Sequence, residues 1–185
     1  MSELERLLDD INSADAASKA KALWQPDQQG EIDIRIAADG SWYHQGRKFE
    51  RAALVKLFAG ILRREGSDYF LVTPVEKLRI RVDDAPFVAT LVDSIEEQGR
   101  QFIVFTTNIG EPILLDKDHA LRIEIDASSG EPRPYVHLRA GIEALISRSA
   151  FYDLINMAVE TSRDGNRYLS VTSGGDQFEL GRTDE

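Results

Sequence analysis

The sequence predicts an α+β protein of two repeated units, each an antiparallel sheet with one packed helix, preceded by an N-terminal helix. Several stretches alternate apolar and polar residues, which is typical of half-buried strands. Two other segments have the apolar spacing of an amphipathic helix. The shift of 97 residues that takes Arg51 to Arg148 aligns these two segments and the strand-like stretches around them, which indicates an internal repeat.

The composition is that of a folded globular protein. Of the 185 residues, 42% are hydrophobic and 29% are charged, enough for one large domain or two small ones. The absence of cysteine excludes disulfides, thiolate catalysis, zinc–cysteine sites and iron–sulfur clusters, and fits a reducing compartment. The apolar runs are too short to span a bilayer, and the acidic N-terminus does not resemble a signal peptide. We therefore expect a cytoplasmic protein that does not associate with membranes.

The charge distribution constrains the partners. A net charge of −10 argues against nucleic acid as a partner, because affinity for phosphate backbones comes mostly from cations. Residues 31–81 nevertheless carry ten cations and seven acids, a local balance of +3. This one basic region favours a small anionic ligand.

Residues 1–24 are predicted to form an N-terminal helix or arm. Leu4, Leu7, Leu8 and Ile11 have helical spacing and are followed by an alanine-rich stretch. An arm of this kind would either dock on the rest of the chain or project from it.

The first unit is predicted over residues 25–85 and opens with a hairpin. Ile32, Ile34 and Ile36 alternate with charged residues, which is the pattern of a half-buried strand. The Asp39-Gly40 pair then favours a hairpin turn into the strand that contains Trp42.

A helix is predicted from Arg51 to Arg64. Its apolar positions follow the i, i+3, i+4, i+7, i+8 spacing of one buried stripe, formed by Leu54, Leu57, Phe58, Ile61 and Leu62. Two arginines suit its last turn, and Gly66 suits the left-handed position after it, so the helix is expected to end near Glu65. Two strands, separated by Pro74, complete the unit.

The second unit is predicted over residues 86–185 and contains an extra hairpin. Residues 87–95 and 100–107 form that hairpin around a Glu-Glu-Gln-Gly loop. A helix from Arg148 to about Ser162 corresponds to the first helix in the repeat register, and two strands follow it.

Eight short segments resemble the bacterial family known as domain of unknown function 1285, over nearly the whole chain after Trp24. They begin at Gly30, Asp39, Ala53, Leu71, Asp84, Thr107, Pro134 and Ser173. The resemblance implies two repeated α+β units in an unusual arrangement, a crevice between them and a part in signal transduction.

Motif analysis finds no catalytic, cofactor or metal signature. The three histidines lack metal-ligand spacing, the paired acids lie in predicted turns, and no glycine-rich phosphate loop or nucleophile elbow occurs. Thr73, Glu76 and Lys77 either line a ligand site or form a hairpin turn. We therefore assign no catalytic residue, metal or cofactor, and the sequence favours a binding module over an enzyme.

One set of arginines and aromatic residues predicts a ligand site. Arginine beside aromatic rings suits a planar or anionic ligand, although tyrosines in a core and arginines paired with acids explain the same residues equally well. With the turn residues above, the predicted ligand-binding set is Arg35, Trp42, Tyr43, Arg51, Thr73, Glu76, Lys77, Tyr135, Arg139 and Arg148.

The resulting hypothesis is a regulatory or signal-transduction module that binds a small anion in the crevice between the units. One alternative is a protein-interaction adaptor that uses an exposed sheet edge or acidic surface. Another is a hydrolase-type enzyme whose acids and histidines meet only in the folded chain. A protein partner is compatible with the first two readings, and the oligomeric state is left open by the sequence.

Overall fold

Strands dominate the two units into which the chain divides. The computed structural model describes Glu5 and residues 16–183. The first unit contains the described residues up to Phe87 together with Arg139–Glu143, and the second contains Val88–Leu138 and the chain from Ala144 onward. The helices and sheets of both units confirm the α+β class.

The first unit holds one six-stranded sheet and two helical segments. Its elements are α1 (residues 16–22), β1 (Gln28–Ile36), β2 (Trp42–His44), β3 (Arg47–Lys48), α2 (Ala52–Ala59), β4 (Leu62–Glu65), β5 (Asp68–Val72) and β6 (Glu76–Val82). The leucine stripe predicted for the N-terminal helix lies outside the described residues. Residues 16–22 are helical, and Lys21 donates a hydrogen bond from Nζ to the Gly60 carbonyl at 2.9 Å.

The sheet order in the first unit is β3-β2-β1-β6-β5-β4. The prediction of an antiparallel sheet is wrong at its centre, because β1 and β6 pair in parallel. A parallel pair needs a long crossover, and the five elements between these strands supply it. Ile34, Ile36 and Ile80 of the central strands are buried in the core.

Helix α2 is shorter than predicted and faces its sheet differently. It ends at Ala59, the one fully buried residue of the helix. Leu57 lies about 200° around the axis from Ala59, at about 100° per residue, and is 64% exposed. The predicted apolar stripe is therefore wrong at Leu57, while Phe58 still contacts the core by stacking on Trp42 at a ring distance of 6.3 Å.

The residues predicted as the last turns of this helix form strand β4. Arg63 and Arg64 lie opposite Phe70 and Tyr69 of the antiparallel strand β5. The sheet therefore supplies hydrogen-bond partners for their backbone groups. Gly66 does adopt the expected positive φ, of 62°, but in the tight turn between β4 and β5 rather than at a helix end.

The second unit holds a six-stranded sheet, a three-stranded sheet and the helix α3. Its elements are β7 (Phe87–Glu97), β8 (Arg100–Thr107), β9 (Pro112–Leu114), β10 (Leu121–Ile125), β11 (Pro132–Arg139), β12 (Ile142–Ile146), α3 (Arg148–Asn156), β13 (Val159–Arg163), β14 (Asn166–Ser173) and β15 (Asp176–Arg182). The predicted extra hairpin is confirmed as β7 and β8.

Helix α3 also ends before its predicted boundary. The stretch expected to continue the helix to Ser162 forms β13, which pairs with β14. Ala150, Phe151 and Leu154 are buried, and Leu154 is completely so. Helix α3 therefore has three buried residues, whereas α2 has one, Ala59.

Both halves of the chain contain a run of three strands, a helix and three strands, which in the second half follows β7–β9, but the strands assemble differently. In the first unit all six strands share one sheet. In the second half β10-β11-β12 joins β7-β8-β9, and β13-β14-β15 forms a separate sheet. The strands β7–β9 lie beside β12, the counterpart of β3, whereas β4–β6 lie beside β1, so β10 remains at the edge of its sheet.

Candidate functional site

A groove of about 390 Å³ runs beside helix α3 in the second unit. We call it the α3 groove. One wall comes from the start of β11 and from β12, and the other comes from the helix. Its apolar lining is formed by Pro132, Pro134, Leu145, Ile146, Phe151, Tyr152 and Ile155. This volume falls within the range of small-molecule sites.

The β11 wall is shaped by its first three residues, Pro132, Arg133 and Pro134. Proline cannot donate a backbone hydrogen bond, so its place at the first residue of a strand is a favourable one. Arg133, between the two prolines, lies opposite Glu124 of β10 in the backbone register of the sheet. This part of the wall is apolar apart from the guanidinium of Arg133.

The helix wall begins at a capped N-terminus. The Ser147 hydroxyl accepts a hydrogen bond from the Ala150 backbone N–H at 3.2 Å, as a favourable N-cap residue does. Phe151 and Ile155 lie one turn apart, so both reach the same groove. Arg148, the first helical residue, lines the groove at the positive end of the helix dipole.

Three charged residues line the groove. Arg148 pairs with Glu131 at 2.5 Å, and these side chains are 68% and 57% exposed. Arg133 donates from Nε to the Tyr135 hydroxyl at 3.1 Å and lies 3.6 Å from Asp126. Two guanidinium groups thus line the groove beside a helix N-terminus, each with an acidic partner.

Asp126 is held as a carboxylate by its own turn. The Ser128 hydroxyl and the backbone N–H groups of Ser129 and Ser128 donate to it, which keeps its pKa well below the usual range. Its oxygens therefore stabilise the turn between β10 and β11.

Among the sequence-predicted site residues of the first unit, Arg35, Trp42 and Tyr43 are neighbours along one hairpin. The Arg35 guanidinium lies 6.0 Å from the Tyr43 ring centroid and donates from Nε to Asp83 at 2.9 Å. Trp42 is 1% exposed and is a core residue. Arg51 is the exposed N-cap residue of α2, where its side chain makes no capping hydrogen bond.

The predicted residues Tyr135 and Arg139 make structural contacts. Tyr135, a buried residue, has the Arg122 guanidinium 4.2 Å from its ring centroid. Arg139 donates to the Ala59 carbonyl at 3.2 Å, where α2 ends, and its guanidinium lies 5.8 Å from the Phe87 ring centroid.

Thr73, Glu76 and Lys77 have the geometry of the hairpin-turn alternative. The Thr73 hydroxyl accepts from the Glu76 backbone N–H at 3.1 Å and from the Val75 N–H at 3.3 Å. Lys77 pairs with Glu65 at 2.8 Å and lowers the pKa of that carboxyl.

Of the predicted residues, Arg148 lines the α3 groove together with residues that the sequence did not single out. The sequence placed Arg148 in the predicted ligand-binding set, whereas the repeat register identified Phe151 only as a position on a packed helix. Arg133 and Tyr152 carried no periodic signal of a site. The proximity of β11 to α3 is a tertiary feature that only the fold reveals.

The basic region of the sequence forms an ion-paired sheet surface in the first unit. A shallow depression of about 690 Å³ there is lined by Arg79 and Arg81 and by four acids, Glu31, Asp33, Asp68 and Asp83. Arg79 pairs with Asp68 and Arg81 pairs with Asp33. The local excess of cations in the sequence is therefore not an excess on this surface.

Removal of Arg35 is expected to raise the pKa of Asp83. The Arg35 guanidinium, through its hydrogen bonds and then its charge, lowers that pKa, and Arg81 adds a smaller effect. Because the folded pKa lies below the unfolded value of about 3.9, the pair stabilises the fold above that pH, and the stabilisation is lost as the pH falls through the folded value. An NMR titration of Asp83 should give a higher pKa in Arg35→Gln and a smaller rise in Arg81→Gln. An unchanged pKa in Arg35→Gln would contradict the assignment.

The carboxylate–histidine contact between Asp116 and His119 belongs to a turn. His119 Nδ1 lies 2.9 Å from Asp116 Oδ1, which also accepts the backbone N–H groups of Asp118 and His119. Neither residue lines the cavities described for this protein. Within residues 16–183 and Glu5, no group of three or more acids and histidines could hold a metal ion. No helix in the described part of the chain has the length and hydropathy needed to cross a bilayer.

Family comparisons place the chain among proteins of this architecture. Residues 21–85 match the N-terminal domain of the DUF1285 family, a domain of unknown function, and residues 86–180 match its C-terminal domain, described as a protein of unknown function. The chain belongs to the DUF1285 family. No curated protein matches it.

Two solved structures of DUF1285 family proteins resemble this fold. A protein from Silicibacter pomeroyi DSS-3 is 44% identical with a TM-score of 0.79, over 88% of this chain and 87% of its own. A protein from Shewanella baltica OS155 is 30% identical with a TM-score of 0.53, over 66% of this chain and 90% of its own.

Proposed function

We propose that this protein is a regulatory module that binds a small amphipathic anion in the α3 groove without transforming it. The observation that supports this is that one groove combines an apolar lining with the guanidinium groups of Arg133 and Arg148. A ligand with an apolar body and an anionic group complements both features. The earlier hypothesis of a crevice between the units stays a prediction, and the α3 groove lies wholly within the second unit.

A ligand anion can replace Glu131 as the partner of Arg148. Both side chains are largely solvated, and exposed ion pairs contribute about 0–1 kcal/mol. A ligand carboxylate or phosphate can therefore replace Glu131 at little cost and form a bidentate contact with the Arg148 guanidinium.

The groove lining favours binding over turnover. Its titratable side chains are Glu131, Arg133, Arg148 and Tyr152, which include no nucleophile next to a base. Two guanidinium groups hold a charge in place but do not transfer protons near neutral pH. A module of this kind acts through the binding equilibrium itself, by favouring the conformation that takes the ligand.

Loss of one groove arginine should weaken anion binding. We expect octanoate to bind the wild type measurably in calorimetry and to bind Arg148→Gln about three- to tenfold more weakly, because water screens a charged hydrogen bond at an exposed guanidinium. Raising the salt concentration should weaken wild-type binding in the same direction.

The matched control is Arg81→Gln. Arg81 is also a solvated arginine paired with one acid, Asp33, at 2.9 Å and with side-chain exposures of 71% and 55%, but it lies in the first unit. Its substitution should leave octanoate affinity unchanged. Equal affinity for octanamide and octanoate, or equal losses in the two variants, would rule out an anion site at Arg148.

A further inference from the structure

We infer that the ligand of the α3 groove is a long unbranched carboxylate, a free fatty acid, with its methylene tail in a second cavity between β10 and β15. This inference rests on the proposed function, because the carboxylate end uses Arg133 and Arg148. The tail would pass over Pro132 and Ile155 and follow the apolar side chains of β10.

The first observation is a difference between the two copies of the repeat. Strand β1 and strand β6 of the first copy are hydrogen-bonded neighbours at the centre of a sheet. Their sequence counterparts, β10 and β15, are terminal strands of two different sheets, although some of their Cα atoms approach within 8 Å. A gap therefore replaces a strand pair in the second copy.

The gap is a cavity of about 570 Å³ with an apolar lining. Leu121, Ile123 and Ile125 project into it from one face of β10, and Leu180 projects from β15. The two charged residues at its edge already have polar partners: Glu179 pairs with Arg163 at 2.7 Å, and Arg182 donates to Asn166. The cavity therefore suits an uncharged apolar chain.

The spacing of the strands excludes a peptide as the occupant along the whole gap. Neighbouring strands lie about 4.8 Å apart, so a strand inserted between two others needs them about 9.6 Å apart. Parts of β10 and β15 are closer than that. A methylene chain is thinner than a peptide strand and needs no backbone hydrogen bonds.

The two cavities are adjacent along the surface of α3. Pro132, Phe151 and Ile155 line both of them. Pro132 is exposed and Ile155 is half-buried, so the passage between the cavities is open to solvent. An elongated ligand can thus lie with its charge at Arg148 and its tail at β10.

The length of β10 sets the expected length of the tail. From Leu121 to Ile125 the strand rises about 13 Å. An extended alkyl chain advances about 1.25 Å per methylene, since a C–C bond is about 1.5 Å. The gap therefore accommodates about ten methylenes beyond those that lie over the helix.

The test is a chain-length series of free fatty acids, from octanoate to hexadecanoate, each below its micelle concentration. Affinity for the wild type should rise about two- to fourfold per added methylene, as expected for buried CH₂ groups, and should level off once the gap is filled. Ile125→Gln should reduce the gain for dodecanoate and longer acids while leaving octanoate affinity unchanged.

Leu91→Gln is the control variant. Ile125 and Leu91 are both solvated strand residues, 66% and 58% exposed, so neither substitution should disturb the fold, but Leu91 lines neither cavity. The Leu91→Gln series should match that of the wild type. A loss in Leu91→Gln equal to that in Ile125→Gln would overturn the inference.

The remaining outcomes separate the inference from the proposed function. If octanoate binds through Arg148 but longer acids bind no better, the tail site is wrong and the anion site stands. If no acid of any length binds, both are wrong. Binding to vesicles of anionic phospholipid without binding of free fatty acids would overturn the choice of a free acid.

Discussion

Replacing Trp42 by alanine is expected to lower the free energy of unfolding by about 3–5 kcal/mol. The side chain is fully buried and stacks on Phe58, so its removal loses both apolar burial and aromatic contact in the first unit. Urea denaturation followed by circular dichroism measures the change. A loss below about 1 kcal/mol would show that the indole is not part of the core.

The matched variant is Trp42→Phe. It keeps an aromatic ring and removes Nε1, a buried donor that has no hydrogen-bond partner among the described residues. An unpaired buried donor carries a desolvation cost of about 1–3 kcal/mol, which offsets part of the lost volume. We therefore expect Trp42→Phe to lose less than half as much stability as Trp42→Ala.

Leu154→Ala should cost about 2–5 kcal/mol, whereas the same change at Leu57 should stay within about 0.5 kcal/mol. The two leucines occupy equivalent positions in the repeat, but Leu154 is fully buried under α3 and Leu57 is mostly exposed on α2. The same denaturation measurement compares both variants directly. Equal losses would mean that α2 packs as the sequence pattern predicted.

Local patterns were enough to predict several strands, among them β1, and the hairpin of β7 and β8. The alternation of Ile32, Ile34 and Ile36 corresponds to β1, and the Asp39-Gly40 turn leads into β2, with Gly40 at a positive φ of 80°. Such features depend on residues close together in the chain, so periodicity and turn chemistry detect them.

The helix boundaries required information from distant residues. Ile61 and Leu62 continue the helical spacing of α2, yet Leu62 pairs with Leu71 in a sheet. Likewise, residues after Asn156 pair with β14 instead of extending α3. Tertiary pairing overrode local helical periodicity at both sites.

The sequence indicated one residue of the candidate site. Arg148 belongs to the predicted ligand-binding set, and it lines the α3 groove with Phe151 and Tyr152, which are not in that set. Arg133 was missed because a Pro-Arg-Pro segment has no helical or strand periodicity. The basic balance of residues 31–81 was misleading, because cross-strand acids neutralise those arginines on the folded sheet.

The hairpin tip Arg139–Glu143 groups with the first unit, although the strands that carry it continue into the second. Within the first unit, Arg64 donates to the Gly141 carbonyl at 2.7 Å, and Arg139 donates to the Ala59 carbonyl. During translation, these bonds can form only after residue 141 has left the ribosome, more than fifty residues after Phe87. A fragment that stops at the boundary between the two matched domains would therefore lack these bonds, and the first unit completes its own structure only after much of the second has been synthesised.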